Sequence, residues 1–136
     1  MTITEYGKMI KREKEEYVVF IKYGKFYRCL DYDAYIMHYL FKYKLTSRET
    51  IGFPIENINK ILSVFKDKNI SAIVVNGIDS YVVYECLSNK YDFYLKESLN
   101  YLNFNESINI INSLIYEKLS NNYNLFPVIR SFLDDL

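Results

Sequence analysis

The sequence predicts an α+β domain, a mixed β-sheet flanked by helices, followed by a helical extension at the C-terminal end. Three observations carry this expectation. Short runs dense in β-branched and aromatic residues, at 17–23, 26–30, 70–75 and 81–87, have the composition of strands. Between them apolar residues recur at helical spacing, most clearly Ile58, Ile61, Leu62 and Phe65. From Tyr91 onward only the helical spacing persists.

The elements are read in order. Thr2-x-x-Glu5 has capping-box spacing, and Tyr6, Met9 and Ile10 follow on one helical face. Lys11 to Glu16 is a mixed-charge run suited to a solvated helix end. Tyr17 to Tyr23 is almost wholly apolar, which predicts a central strand buried on both faces. Gly24 permits a turn or bulge before a second strand from Phe26 to Leu30. Asp31 is expected to cap a helix whose inward stripe is Tyr35, Ile36, Tyr39, Leu40 and Tyr43, with Asp33 in its first turn. Ile51 to Pro54 reads as extended, because proline disfavours helical geometry in the residue before it. Ile70–Val75 and Tyr81–Leu87 are expected to form a hairpin, with Asn76-Gly77 opening its turn. Two or three helices complete the chain, the last after Pro127.

Composition narrows the function. A chain of 136 residues, half of them apolar and a quarter charged, suits one folded domain. The expected division is an α+β unit over 1–89 and a helical extension over 90–136, packed on the same domain. The 15 Tyr and 9 Phe are read first as half-buried faces rather than as a stacking surface. No membrane span or signal peptide is visible, and Cys29 and Cys86 form no metal-spaced pair, so a reducing, cytoplasmic setting is expected. Net charge is zero but uneven: residues 1–68 carry 13 basic and 9 acidic side chains, residues 69–136 carry 4 and 8. Only the first half carries the sign that attracts nucleic acid.

No GxSxG, HExxH, CxxC or Walker-type glycine loop occurs, and the single histidine, His38, falls in mid-helix. Nothing assembles a nucleophile, a base and an orienting group. The chain is therefore expected not to be an enzyme and to use no metal or cofactor.

Four motifs then fall in order. They are Ile21-Lys22-Tyr23-Gly24-Lys25-Phe26-Tyr27-Arg28-Cys29-Leu30 with Asp33-Ala34, then Leu45-Thr46-Ser47-Arg48, then Gly52-Phe53-Pro54, then the helical spacing from Ile58 to Phe65. From about Thr2 to Val75 the chain resembles the N-terminal, mismatch-reading domain of the MutS DNA repair proteins. That family reads Phe-x-x-Gly-Asp-Phe-Tyr-Glu, a helix, Leu-Thr-x-Arg, then Gly-x-Pro. In it the Phe enters the minor groove and stacks on a mispaired base, which the Glu hydrogen-bonds. The resemblance puts the wedge at Phe26 and the acid at Arg28, with Lys25 where the family often has Asp. Both changes replace acid by base, which favours phosphate contact on any sequence over selective readout of a mismatch. Residues two apart on a strand share a face, so Phe26 and Arg28 are expected to act together. A phenylalanine at this position equally fits a strand residue packed beneath the following helix.

The resemblance thus implies a stand-alone, non-enzymatic domain that binds duplex DNA weakly, mismatched or not, in DNA repair. Phe26 would probe, with Lys25, Arg28, Arg48 and Lys22 on phosphates. The alternative is an assembly module that uses this fold as a scaffold without binding DNA, forming a homo-oligomer or engaging a larger partner through the 90–136 helices.

Overall fold

Thr2 and Glu5 form both halves of the expected capping box. The Thr2 hydroxyl accepts from the Glu5 amide at 3.1 Å, and the Glu5 carboxylate accepts from the Thr2 amide at 3.2 Å. In the computed structural model, which describes residues 1–136, this box opens helix α1 (Ile3–Glu13). Strands β1 (Val18–Tyr23) and β2 (Phe26–Leu30) follow, then helix α2 (Tyr32–Phe41) and strand β3 (Thr50–Pro54). Helix α3 (Ile58–Lys68) leads to strands β4 (Ala72–Gly77) and β5 (Ser80–Tyr84), and helices α4 (Tyr91–Asn121) and α5 (Phe126–Asp134) end the chain.

The five strands form one mixed sheet in the order β3-β2-β1-β4-β5. β1 pairs parallel with β4, and every other pairing is antiparallel. β1 is central, and Val18 to Ile21 are buried in succession, as a strand covered on both faces requires. On one face α1 sets Tyr6 and Ile10 over Val19, Ile21, Ile73 and Val75. Gly7 allows that approach, because a Cβ there would run into the Ile21 side chain. The opposite face packs α2, α3 and Tyr91 on Val18, Phe20, Tyr27, Phe53 and Val74. Much of the aromatic surplus goes here. Phe20 meets the Phe53 ring edge-on at 5.5 Å and Phe65 at 5.6 Å, while Tyr43 stacks on Phe53 at 5.9 Å. Cys29 is buried in this layer, and burial pushes its thiol well above the ordinary range.

Met1–Asn100 and Tyr101–Leu136 are two compact units. In the second, the later turns of α4 lead through a 3-10 turn (Tyr123–Leu125) into α5, whose first turn holds Pro127. Of the two or three helices expected here there are two, because the spacings of Tyr91–Leu102 and Ile108–Leu119 fall on one helix of 31 residues. Neither Gly nor Pro occurs between 91 and 121, so nothing in the chain stops it. No helix is long and apolar enough to cross a membrane.

Three local expectations are corrected. α2 buries Ala34, Ile36 and Met37, whereas Tyr35 and Tyr39 lie at its margin. Gly77 still pairs with Ser80, so the hairpin turn is Ile78-Asp79, and Asn76 sits at a bulge where its Oδ1 accepts from the Tyr27 hydroxyl at 2.6 Å. Asp31, at φ 53°, makes no side-chain cap.

Asp33 is the largest departure, since it is no capping residue but a buried hub. Its Oδ1 accepts from Lys11 Nζ at 2.8 Å and from the Tyr91 hydroxyl at 2.7 Å, and its Oδ2 accepts from the Val19 amide at 3.0 Å. Burial raises the Asp33 carboxyl above its ordinary range, against the opposing pull of Lys11, Tyr91 and the Val19 amide. Burial, then the Asp33 charge, drives the Tyr91 hydroxyl upward too. Lys11 is 28 % exposed and Asp33 only 3 %, so removing the carboxylate charge strands a partly buried ammonium. Asp33→Asn is expected to cost about 3 kcal/mol, near the lower end for breaking a buried pair. Urea unfolding followed by circular dichroism checks this; an unchanged midpoint would show that the hub is dispensable.

Candidate nucleic-acid interface

The site is built on the β1–β2 turn. Tyr23 pairs with Phe26, so only Gly24 and Lys25 lie between the strands. Of the two only Gly24 has a positive φ, +61°, which is the pattern of a type II′ hairpin turn. Lys25 is exposed, and its carbonyl accepts from the Ile55 amide at 3.1 Å, tying the turn to the end of β3.

Register then decides which side chains share a face. Phe26 lies opposite both Tyr23 and Pro54, and Arg28 lies opposite both Ile21 and Gly52. Directly paired residues project to one side of a sheet. Ile21 is packed by α1, so Tyr23, Phe26, Pro54, Arg28 and Gly52 all lie on the α1 face. α2 covers the other face, so Phe26 is not beneath it. Tyr23 is 57 % and Phe26 48 % exposed.

Arg28 is half-buried. Its guanidinium carbon stands 4.0 Å from the Tyr23 ring centre, within cation–π range. Its Nη2 donates to Thr4 Oγ1 at a long 3.4 Å, and its buried Nε has no partner in the protein. Gly52 leaves the arginine stem uncovered, because a Cβ there would meet Arg28 Cγ at 3.7 Å.

The five residues singled out from the sequence do not all meet. Phe26, Lys25 and Arg28 come together at the turn. Lys22 pairs with the buried Tyr27 and so faces the opposite side of the sheet. Arg48 lies in the loop before Thr50, which pairs with Leu30. Leu30 is four residues along β2 from Phe26, about 13 Å away at strand rise. Lys22 therefore faces away from the other three, and Arg48 lies toward the end of β2 remote from Phe26 and Lys25. Tyr23, Thr4, Gly52 and Pro54 join the site instead. Tyr23 could have been found from the two-residue turn, which makes it the cross-strand partner of Phe26. Thr4 carried no such signal, because its place depends on how α1 crosses the sheet.

A family model for MutS domain I matches residues 2–84, from the capping box to the end of β5. That is more than half of the chain, and the chain belongs to the MutS domain I family. The family is that of the mismatch-recognition domain, a fold for contacting DNA rather than for catalysis. Among curated proteins none matches the chain significantly.

Proposed function

We propose that the chain binds DNA, without catalysis, through the α1 face of the β1–β2 turn, as part of DNA repair. The observation that carries this reading is Phe26, a large apolar side chain left exposed beside Lys25 and on the face of Arg28. An exposed apolar residue flanked by cations can press into a base step while the cations hold the phosphates. With Arg28 in place of the family's acid, phosphate attraction outweighs base readout. Affinity is then weak, salt-dependent and only slightly selective for mismatches.

Anisotropy of labelled duplexes tests this. At about 50 mM salt the Kd is expected in the micromolar range, rising steeply by about 200 mM. Lys25→Ala is expected to lower the salt slope by about one unit. Phe26→Ala should weaken binding roughly tenfold, while Arg28→Glu should weaken matched duplex more than mismatched. Failure of tens of micromolar protein to bind at the lower salt would contradict the reading.

A second reading, assembly, draws on β5. This edge strand has no Pro and no charge, and Tyr81, Val82, Val83 and Tyr84 are each 44–48 % exposed. Such an edge is a template for another strand. The 90–136 helices offer a further contact surface, with Phe104, Ile110 and Leu114 exposed. If β5 pairs with a second copy, sedimentation velocity finds dimer at tens of micromolar, and Val83→Lys returns it to monomer. A wild-type monomer throughout that range contradicts pairing through β5.

A further inference from the structure

We infer that Tyr23, Phe26 and Pro54 form a platform on which unpaired bases stack, so that the site prefers single-stranded nucleic acid to a fully paired duplex. This deepens the nucleic-acid reading above and rests on it.

The first support is register. Tyr23, Phe26 and Pro54 are direct cross-strand neighbours on β1, β2 and β3, one per strand, in a single row. Adjacent strands lie about 4.8 Å apart, so the row spans roughly 10 Å of sheet surface. Two rings and a pyrrolidine side by side make a broad apolar support rather than one projecting wedge. All three residues are exposed, and they face the same side.

The second support is what surrounds the row. Arg28 lies over one face of the Tyr23 ring with its guanidinium 4.0 Å from the ring centre, which puts a cation against the ring and leaves its other face for a base. Gly52, next to Arg28, puts no side chain over the arginine stem. Lys25 supplies a second cation at the turn. Between Lys22 and Arg28, and between Ile51 and Ile55, there is no acidic residue. These two stretches therefore supply stacking surface and phosphate partners, and neither carries a carboxylate.

The third support is energetic. A paired duplex presents its edges and phosphates, and exposing a base face requires unstacking a step before the platform can be used. A bent duplex recovers that cost through extensive additional contacts, whereas this site offers two cations and three apolar residues. Single strands meet no such cost, and aromatic stacking tolerates any base sequence.

The test uses the intact chain and anisotropy at about 50 mM salt, comparing a labelled twelve-residue oligothymidylate with a fully paired twelve-base-pair duplex. The expected result is at least tenfold tighter binding of the single strand. Tyr23→Ala and Phe26→Ala are each expected to weaken oligothymidylate binding by about five- to a hundredfold, and Tyr23→Ala to change duplex binding less than about threefold. Tyr23→Phe, which keeps the ring, should bind like the parent and so separates loss of stacking from loss of fold. Duplex binding equal to or tighter than single-strand binding, or an unaffected Tyr23→Ala variant, overturns the platform and leaves the DNA reading standing. Binding of neither ligand overturns both.

Discussion

A single carboxylate joins four elements of the first unit. Asp33 in α2 receives Lys11 from α1, the Val19 amide from β1 and the Tyr91 hydroxyl from the start of α4. Lys11 also donates to the carbonyls of Glu15 and Tyr17, closing the chain between α1 and β1. The position of the Val19 amide explains why an acid is placed there. Pairing of β1 with β2 begins at Ile21 opposite Arg28, so Val19 lies beyond the ladder and Asp33 stands in for a strand carbonyl. A buried carboxylate is expensive unless its charge is paired and its oxygens are bonded, and here both conditions hold. Nearby, Asn89 accepts from the amides of Ser71 and Tyr91 and donates to the Glu16 carbonyl, fixing where α4 begins.

This tie lies at the end of the sheet away from the β1–β2 turn, and the division shapes the site. The helices are anchored where β2 ends, and the turn itself is left with Tyr23, Phe26 and Lys25 exposed. Side chains held by a regular two-strand ladder keep their spacing more strictly than those on a long loop. The site therefore comes largely formed, and its one compromise is Arg28, half-buried, stacked on Tyr23 and left with an unpartnered Nε.

The strands, the capping box and α3 were legible because each has one dominant local signal: the β-branched run of Val18 to Ile21, the Thr2–Glu5 spacing, and the Ile58–Phe65 stripe. α2 was harder to orient. Eight of its ten residues are apolar or aromatic, so periodicity does not select a face, and the sheet chooses Ala34, Ile36 and Met37. Asp33 was misread because an acid in a first turn already has a local explanation, and its partners lie 22 and 58 residues away. The sharing of a face by Phe26 and Arg28 followed from strand parity. The separation of Lys22 is the same parity seen from the other side. Arg48 was grouped with them by motif order, which carries no distance.

The chain belongs to the MutS domain I family, and the function proposed for it rests on one surface, the α1-face cluster at the β1–β2 turn. The sheet supplies its flatness and the turn its exposure, and under the proposed function Arg28 adds attraction for phosphate. The most direct test is a heteronuclear NMR titration of the isotopically labelled intact chain with an oligonucleotide. Amide shifts confined to Thr4, Tyr23–Arg28, Gly52 and Ile55 are the predicted result. Shifts centred on β5, on Lys22 and Arg48, or on 101–136, with the turn unmoved, would contradict the account.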